Sequence, residues 1–373
     1  MTLNPATVSP AARIYLRPVW FADSPIGLDG RTARIGNGLV WYQGIEASVR
    51  GAARPVRDSI AVERLDQWIA ALPGPVSAQA RAQVAAIAAP RAPLVLGERT
   101  IRLDQPQVMG ILNMTPDSFS DGGKHVDDAQ AAADAGFAMA AAGAAIIDVG
   151  GESTRPGAAP VWEGDEIARV VPVIERLAKA GVAISIDTRK AAVMQAALAA
   201  GAHIVNDVSA LLHDPLAMEV VAKAGCPVVL MHAPSTGENP HIGDGYADPV
   251  CDIFDWLAAR IDACVAAGIA RDKIIVDPGL GFGKKVADDL AIVNRLTTFH
   301  ALGAPILFGA SRKRTIGALS NQAPVSTRLG GSLAMAMRAV EAGAQIVRVH
   351  DVPETVQMAH VWRGLRDGAL TAG

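Results

Sequence analysis

Six alanine-rich stretches of this chain end in a glycine, at Gly143, Gly181, Gly201, Gly225, Gly268 and Gly343, and an apolar run soon follows each. Glycine suits the left-handed residue that ends a helix and turns the chain back into a strand. One signal repeated at successive helix-to-strand returns constrains the fold more than any single propensity, because helices and strands must then alternate. The apolar runs at 108–112, 145–149, 183–186, 203–205, 227–231, 274–276, 305–308 and 345–349 lack polar alternation, as expected of parallel strands buried on both faces. The stretches that follow them, 129–142, 163–180, 190–200, 215–224, 249–267, 287–299, 326–342 and 353–367, read as helices. Eight such pairs predict an α/β chain folded as a (β/α)₈ TIM barrel, with its functional residues where the strands end.

A barrel needs about 250 residues, and this chain has 373. The surplus falls at the N-terminus, where Tyr15, Trp20, Trp41, Tyr42 and Trp68 cluster. Segments 13–19 and 38–42 read as strands between turns. Residues 58–72 place Ile60, Val62, Leu65, Trp68, Ile69 and Leu72 at helical spacing, and Pro73-Gly74-Pro75 stops them. The reading is an α+β extension over 1–91, which gathers no nucleophiles, bases or ligands and so suits a packing or assembly role, and a barrel over 92–373. Residues 94–103 read as a hairpin placed to close the barrel's bottom.

Lys plus Arg number 34 against 37 Asp plus Glu, with no basic block, which argues against nucleic acid or an anionic membrane and for a small-molecule partner. Cys226, Cys251 and Cys264 have neither zinc-site spacing nor the density of a disulfide scaffold. No signal-like opening and no apolar run of about 18 residues is present, and the expected location is the cytoplasm.

The groups just past the apolar runs are Asn113, the stretch 150–157, Asp187, Asn206-Asp207, His232, Asp277, Ser311-Arg312-Lys313, and Arg348 with His350 and Asp351. Asp187, Asn206, Asp277 and Lys313 follow strands directly and suit a flat heterocycle with adjacent donors and acceptors. Arg348, His350 and Asn113 suit an anion with a metal, the Asn oxygen completing the shell of a Mg²⁺ that keeps waters and phosphate oxygens. Each has a plainer alternative: Asp187 as a helix N-cap, Asn206-Asp207 as a turn, His232 as a satisfied histidine at a strand edge. The glycine-rich 278–285 has neither P-loop nor dinucleotide spacing. It reads as backbone passing close to a ligand, with Phe282 as a lid.

Met109 to Gly123 reads Met-Gly-Ile-Leu-Asn-Met-Thr-Pro-Asp-Ser-Phe-Ser-Asp-Gly-Gly. It is followed in order by Gly-Gly-Glu-Ser-Thr-Arg-Pro-Gly at 150–157, Ser-Ile-Asp-Thr at 185–188, Asn-Asp-Val-Ser at 206–209, Asp-Pro-Gly-Leu-Gly-Phe-Gly-Lys at 277–284, Ser-Arg-Lys at 311–313 and Arg-Val-His-Asp-Val at 348–352. With these motifs the chain resembles the dihydropteroate synthase family from about Ala92 onward. The resemblance implies condensation of dihydropterin hydroxymethyl diphosphate with para-aminobenzoate, with Mg²⁺, in a homodimer formed through the last barrel helices. It implies Asp187, Asn206, Met231, Asp277 and Lys313 on the pterin, and Asn113, Arg348 and His350 on diphosphate and metal. Phe119, Thr154, Arg155, Pro156, Phe282 and Ser311 would form the aminobenzoate pocket, and Asp187, Lys313 and Arg348 would be the catalytic groups. Leu280 stands where the family usually has an aromatic, and the loop after His232 departs from the commoner pattern. Two alternatives keep the pterin grip: methyl transfer from a reduced folate to a corrinoid, which does not need Thr154-Arg155 or the diphosphate residues, and a non-enzymatic pterin-binding scaffold.

Overall fold

The structure, a computed structural model, describes residues 4–50, 56–114, 129–155, 157–237 and 239–371. Eight parallel strands form the barrel: β7 (Gln107–Asn113), β8 (Ile146–Gly150), β9 (Ile184–Asp187), β10 (Ile204–Asp207), β11 (Val228–Met231), β12 (Ile274–Asp277), β13 (Leu307–Phe308) and β14 (Ile346–Val349). Each pairs with its neighbour in sequence, and β14 returns to β7. The ring closes where Val276 bridges Ile306 and donates its N–H to the Pro305 carbonyl at 2.9 Å. The helices that cover it are α3 (Ala129–Ala141), α4 (Glu163–Lys179), α5 (Ala191–Ala199), α6 (Ala217–Ala224), α7 (Pro249–Ala266), α8 (Val286–Asn294), α9 (Arg314–Leu319), α10 (Leu329–Glu341) and α11 (Val352–Thr371). All six glycines that prompted the alternation have positive φ, and Gly225 caps α6 at φ 61°.

Inside the barrel the lowest layer is apolar: Met109, Ile146, Ala183, Ile204, Val229, Ile275, Leu307 and Ile346. The hairpin of β5 (Leu94–Leu96) and β6 (Arg99–Ile101) seals it from below with Leu94, Leu96, Ile101 and Leu103. Burying each such aliphatic side chain stabilises by about 1.5–3 kcal/mol. The barrel is therefore a packed core beneath and a cup above.

Ahead of the barrel, β3 (Trp41–Arg50) lies at the centre of an antiparallel sheet, with β1 (Arg13–Ala22) on one side and β2 (Ala33–Arg34) and β4 (Val56–Ala61) on the other. Helices α1 (Leu65–Ala70) and α2 (Gly74–Ala88) follow. From α2, Gln79 Oε1 accepts the Ile14 N–H and Gln83 Oε1 the Leu16 N–H, each at 2.8 Å, while Gln83 Nε2 donates to the Ile14 carbonyl at 2.7 Å. The amides thus cover the free edge of β1.

The elements differ from the sequence reading in four places. Residues 58–61 continue β4 rather than opening a helix, the Pro73-Gly74-Pro75 stretch after α1 leads into an unforeseen second helix (α2), α8 ends at Asn294 before a 3₁₀ segment (Leu296–Leu302), and α9 precedes α10. Among the described residues no helix is long and apolar enough to cross a membrane. The three cysteines are free thiols.

Candidate active site at the carboxyl ends of the strands

Side chains alternate along a strand, so positions two and four residues beyond the apolar layer continue the inward rows. The first step brings Ile111, Asp148, Ser185, Asn206, Met231, Asp277, Gly309 and Arg348; the second brings Asn113, Gly150, Asp187, Gly279, Ser311 and His350. Of the strand-end residues singled out in the sequence, Asn113, Asp187, Asn206, Asp277, Ser311, Arg348 and His350 therefore converge, joined by Asp148, which the sequence reading missed.

Asp148 organises the floor of the cup. Its Oδ2 accepts Arg348 Nε at 2.5 Å and Asn206 Nδ2 at 3.0 Å, and Arg348 Nη2 reaches Asp187 Oδ2 at 2.6 Å. Asp148 Oδ1 is buried without a hydrogen-bond partner among the described residues. Burial pushes the Asp187 carboxyl up to about 7, against the pull of Arg348 and with the help of the Asp148 charge. Burial works against the Arg348 charge, yet Asp148 and Asp187 hold its pKa above the ordinary value. Arg348 is thus tied to the carboxylate assigned to the heterocycle, although the sequence grouped it with the anion residues.

The alternatives separate. Asp187 caps no helix: α5 starts after Lys190, which makes no side-chain cap, and the Ala191 N–H goes to Asp214 Oδ2 at 2.8 Å. Asp207 makes the turn, accepting Ser209 N–H at 2.7 Å and Leu211 N–H at 2.8 Å, and leaves Asn206 to the cup. His232 is a satisfied, buried histidine set edge-on to Trp256, ring centroids 4.9 Å apart, and burial beside Lys284 holds its pKa down to about 2.

Asp277 Oδ1 accepts the Gly279 N–H at 2.7 Å, and burial raises its pKa against the charge of Lys313. Lys313 donates to the Leu280 carbonyl and stands 4.9 Å over the Phe282 ring; burial lowers its pKa while Asp277 resists. Two glycines of this loop are required by a contact within the protein. A Cβ on Gly279 would stand 2.0 Å from the His232 carbonyl oxygen, and one on Gly283 2.3 Å from Pro234 Cγ. Their close approach is to the neighbouring loop.

Lys284, unassigned by the sequence, fastens the two loops together. Its Nζ lies 2.7 Å from the Gly279 carbonyl oxygen, 3.1 Å from that of Phe282, 3.3 Å from that of His232 and 3.1 Å from His232 Nδ1. Burial brings its pKa down to about 7. Phe282 packs with Val208, Met231 and Ala233. His241 stacks on the Phe282 ring with centroids 5.0 Å apart, and the His241 Nε2 is 2.9 Å from the Thr154 carbonyl oxygen. His241 lies in the stretch that departs from the family pattern, so no motif pointed to it.

On the remaining side His350 Nδ1 meets Ser311 Oγ at 3.0 Å, and burial, with the Arg348 and Arg312 charges, lowers the His350 pKa to about 4. A Cβ on Gly150 would lie 3.4 Å from Asp187 Cβ and 3.7 Å from Asn113 Oδ1, so Asn113 and Asp187 flank the end of β8. Arg155 extends from the loop after β8, where Glu152 pairs with Arg189 and Lys190, each at 3.3 Å. Phe119 and Pro156 lie outside the described residues. No three His, Cys, Asp or Glu side chains among the described residues stand together as metal ligands.

A barrel mouth lined with carboxylate, amide and cationic groups defines a binder of a flat, nitrogen-rich ring. The profile of the family described as Pterin binding enzyme matches residues 109–350. The dihydropteroate synthase of Escherichia coli K12 is 46% identical over 263 residues, covering 70% of this chain and 92% of the relative. A Xanthomonas albilineans dihydropteroate synthase solved with 4-aminobenzoic acid is 44% identical with a TM-score of 0.70, and one solved with 7,8-dihydropteroate is 42% identical with a TM-score of 0.67; each covers 74% of this chain and 98% of the solved one. This chain belongs to the dihydropteroate synthase family.

Proposed function

We propose that the chain condenses 6-hydroxymethyl-7,8-dihydropterin diphosphate with para-aminobenzoate to give 7,8-dihydropteroate and diphosphate. The observation that carries this reading is the network of Asp148, Arg348, Asp187 and Asn206 at the barrel mouth, on strands whose motifs match those of the family. Asn206, Asp277 and Lys313 would grip the pterin edge by complementary hydrogen bonds, with Met231 against its face. Arg348, His350 and Asn113 would take the diphosphate. Thr154, Arg155, Phe282 and Ser311, with Phe119 and Pro156, would form the aminobenzoate pocket.

Asn113 offers a single hard oxygen, with no cluster of further ligands among the described residues. That donor set fits a Mg²⁺ whose shell is otherwise water and substrate oxygen. Bound there, the ion would help neutralise the leaving group. In the reaction the methylene–oxygen bond to diphosphate breaks, the methylene–nitrogen bond to the arylamine forms, and the amine loses a proton. Arg348 stabilises the charge gathering on the departing diphosphate, and Asp187 the positive charge left on the pterin methylene. A weakly basic arylamine then needs orientation more than activation, which a closed pocket provides.

Methyl transfer to a corrinoid would not call for Ser311 held against His350 or for the Thr154 loop tied to His241, and both features favour the synthase. The same proposal places the reaction in the cytoplasm, consistent with three free thiols, and in a homodimer through the last barrel helices, where Val361 and Leu365 of α11 are exposed. The deciding experiment is diphosphate release with and without para-aminobenzoate and Mg²⁺. Release that ignores para-aminobenzoate would refute the condensation, and release unchanged by metal removal would refute the Mg²⁺ assignment.

A further inference from the structure

We infer that the N-terminal sheet, through Arg50, acts as a positioning device for the loop that closes the aminobenzoate side of the site; the inference rests on the function proposed above. One end of the sheet carries a row of basic side chains that meets the first turns of α7. Arg13 Nη2 pairs with Asp255 at 2.8 Å, Arg50 Nη1 with Asp252 at 2.5 Å, and Arg57 Nη2 lies 4.0 Å from Asp248. Tyr15 Oη donates to Asp255 at 2.8 Å and its ring stands edge-on to Phe254. The sheet therefore rests on the helix that immediately follows the loop holding His241.

One of these contacts reaches past the helix. Asp252 gives Oδ1 to Arg50, and its Oδ2 accepts the N–H groups of Ala247 and Asp248 at 2.9 and 3.1 Å, which fixes the last residues of the loop. Next in line is Tyr246, whose ring lies 5.8 Å from Lys284 Nζ and has its centroid 5.8 Å from that of His232. Lys284 holds the Phe282 carbonyl, and Phe282 is stacked on His241, which contacts Thr154. A continuous path of hydrogen bonds and ring contacts thus leads from Arg50 to the residues proposed to hold para-aminobenzoate. Arg13, three residues further along the helix at Asp255, reaches this path only at second hand, through Tyr15, which hydrogen-bonds both Asp255 and Arg50, and serves as a graded comparison.

The Arg50 side chain is 39% exposed and that of Asp252 26%, so solvent weakens the pair and its loss has a moderate effect. In the full-length chain, Arg50→Ala should raise the KM for para-aminobenzoate about three- to fivefold while kcat stays within about twofold. Arg50→Lys should recover part of that loss. Hydrogen exchange at the Ala247 and Asp248 amides should accelerate clearly in Arg50→Ala and less in Arg13→Ala, a readout independent of turnover. An unaltered KM in Arg50→Ala, or an equal change in Arg13→Ala, would overturn the inference. Wild-type diphosphate release in the same assay tests the proposed reaction separately.

Discussion

Asp148 holds two donors with one oxygen and keeps its other oxygen buried, so its charge fixes the guanidinium of Arg348 and the amide of Asn206 together. Losing a charge-assisted hydrogen bond of this kind costs about 1.5–3 kcal/mol. Asp148→Asn, nearly identical in volume, should therefore lower the melting temperature and also lower kcat/KM about 10- to 100-fold, as read by a melting curve beside steady-state kinetics. Asp187 makes a pH prediction. Its folded-state pKa lies near 7, above the ordinary 3.8, so the folded chain binds this proton more tightly than the unfolded one does. The stability from that proton is complete below about pH 3.8 and is lost as pH rises to about 7. The proposed role needs the ionised carboxylate, so kcat/KM should climb over the upper part of that range, and Asp187→Asn should remove the limb from the pH–rate profile. Asp187 and Asp277 were legible in the sequence because each stands at the edge of an apolar run, and Arg348 because it opens the motif Arg-Val-His-Asp-Val. Asp148 was not: in Ile-Ile-Asp-Val it sits inside the run, and only the phase of the strand, fixed by Ile146 in the apolar layer, turns it inward.

The loops after β11 and β12 behave as one element, because Lys284 bonds to carbonyls in both. Lys284→Met would retain the aliphatic stem and leave those carbonyls without their donor, at a cost of about 1–3 kcal/mol for a buried orphan. Calorimetry should show a lower Tm, and the KM for para-aminobenzoate should rise as Phe282 loses its backing; a normal KM with a lowered Tm would confine Lys284 to stability. No sequence pattern announces such a lysine, since its partners are backbone atoms on two separate loops. The misread elements have related causes. Residues 58–61 show apolar spacing that suits a helix read forward into Leu65, but pairing with β3 decides for strand. In α2 the helix follows from Pro at its first turn and a run of alanines and glutamines, a composition with little amphipathic signal.

At the scale of the whole molecule the extension and the barrel share one core, which runs without a break from Ile14, Leu16 and Ile45 through Ile69 and Ile87 to Phe299, Leu302 and Val340. Arg91 pins the join. Its Nη1 donates to the Ala86 and Ala89 carbonyls at the end of α2, at 3.0 and 2.7 Å, and its Nη2 to the His300 carbonyl at 3.1 Å. The side chain is buried among carbonyls, with no ion pair to a carboxylate among the described residues, and burial lowers its pKa to about 10. The end of α2, where carbonyl dipoles accumulate, offsets part of the cost of that charge. Arg91→Ala removes the donor from one buried and two part-buried carbonyls and opens a void at the join, so destabilisation of about 2–4 kcal/mol is expected. Because the core is continuous, that loss should lower the melting temperature of the entire chain in one cooperative transition. Two separate unfolding transitions in scanning calorimetry would contradict the shared core.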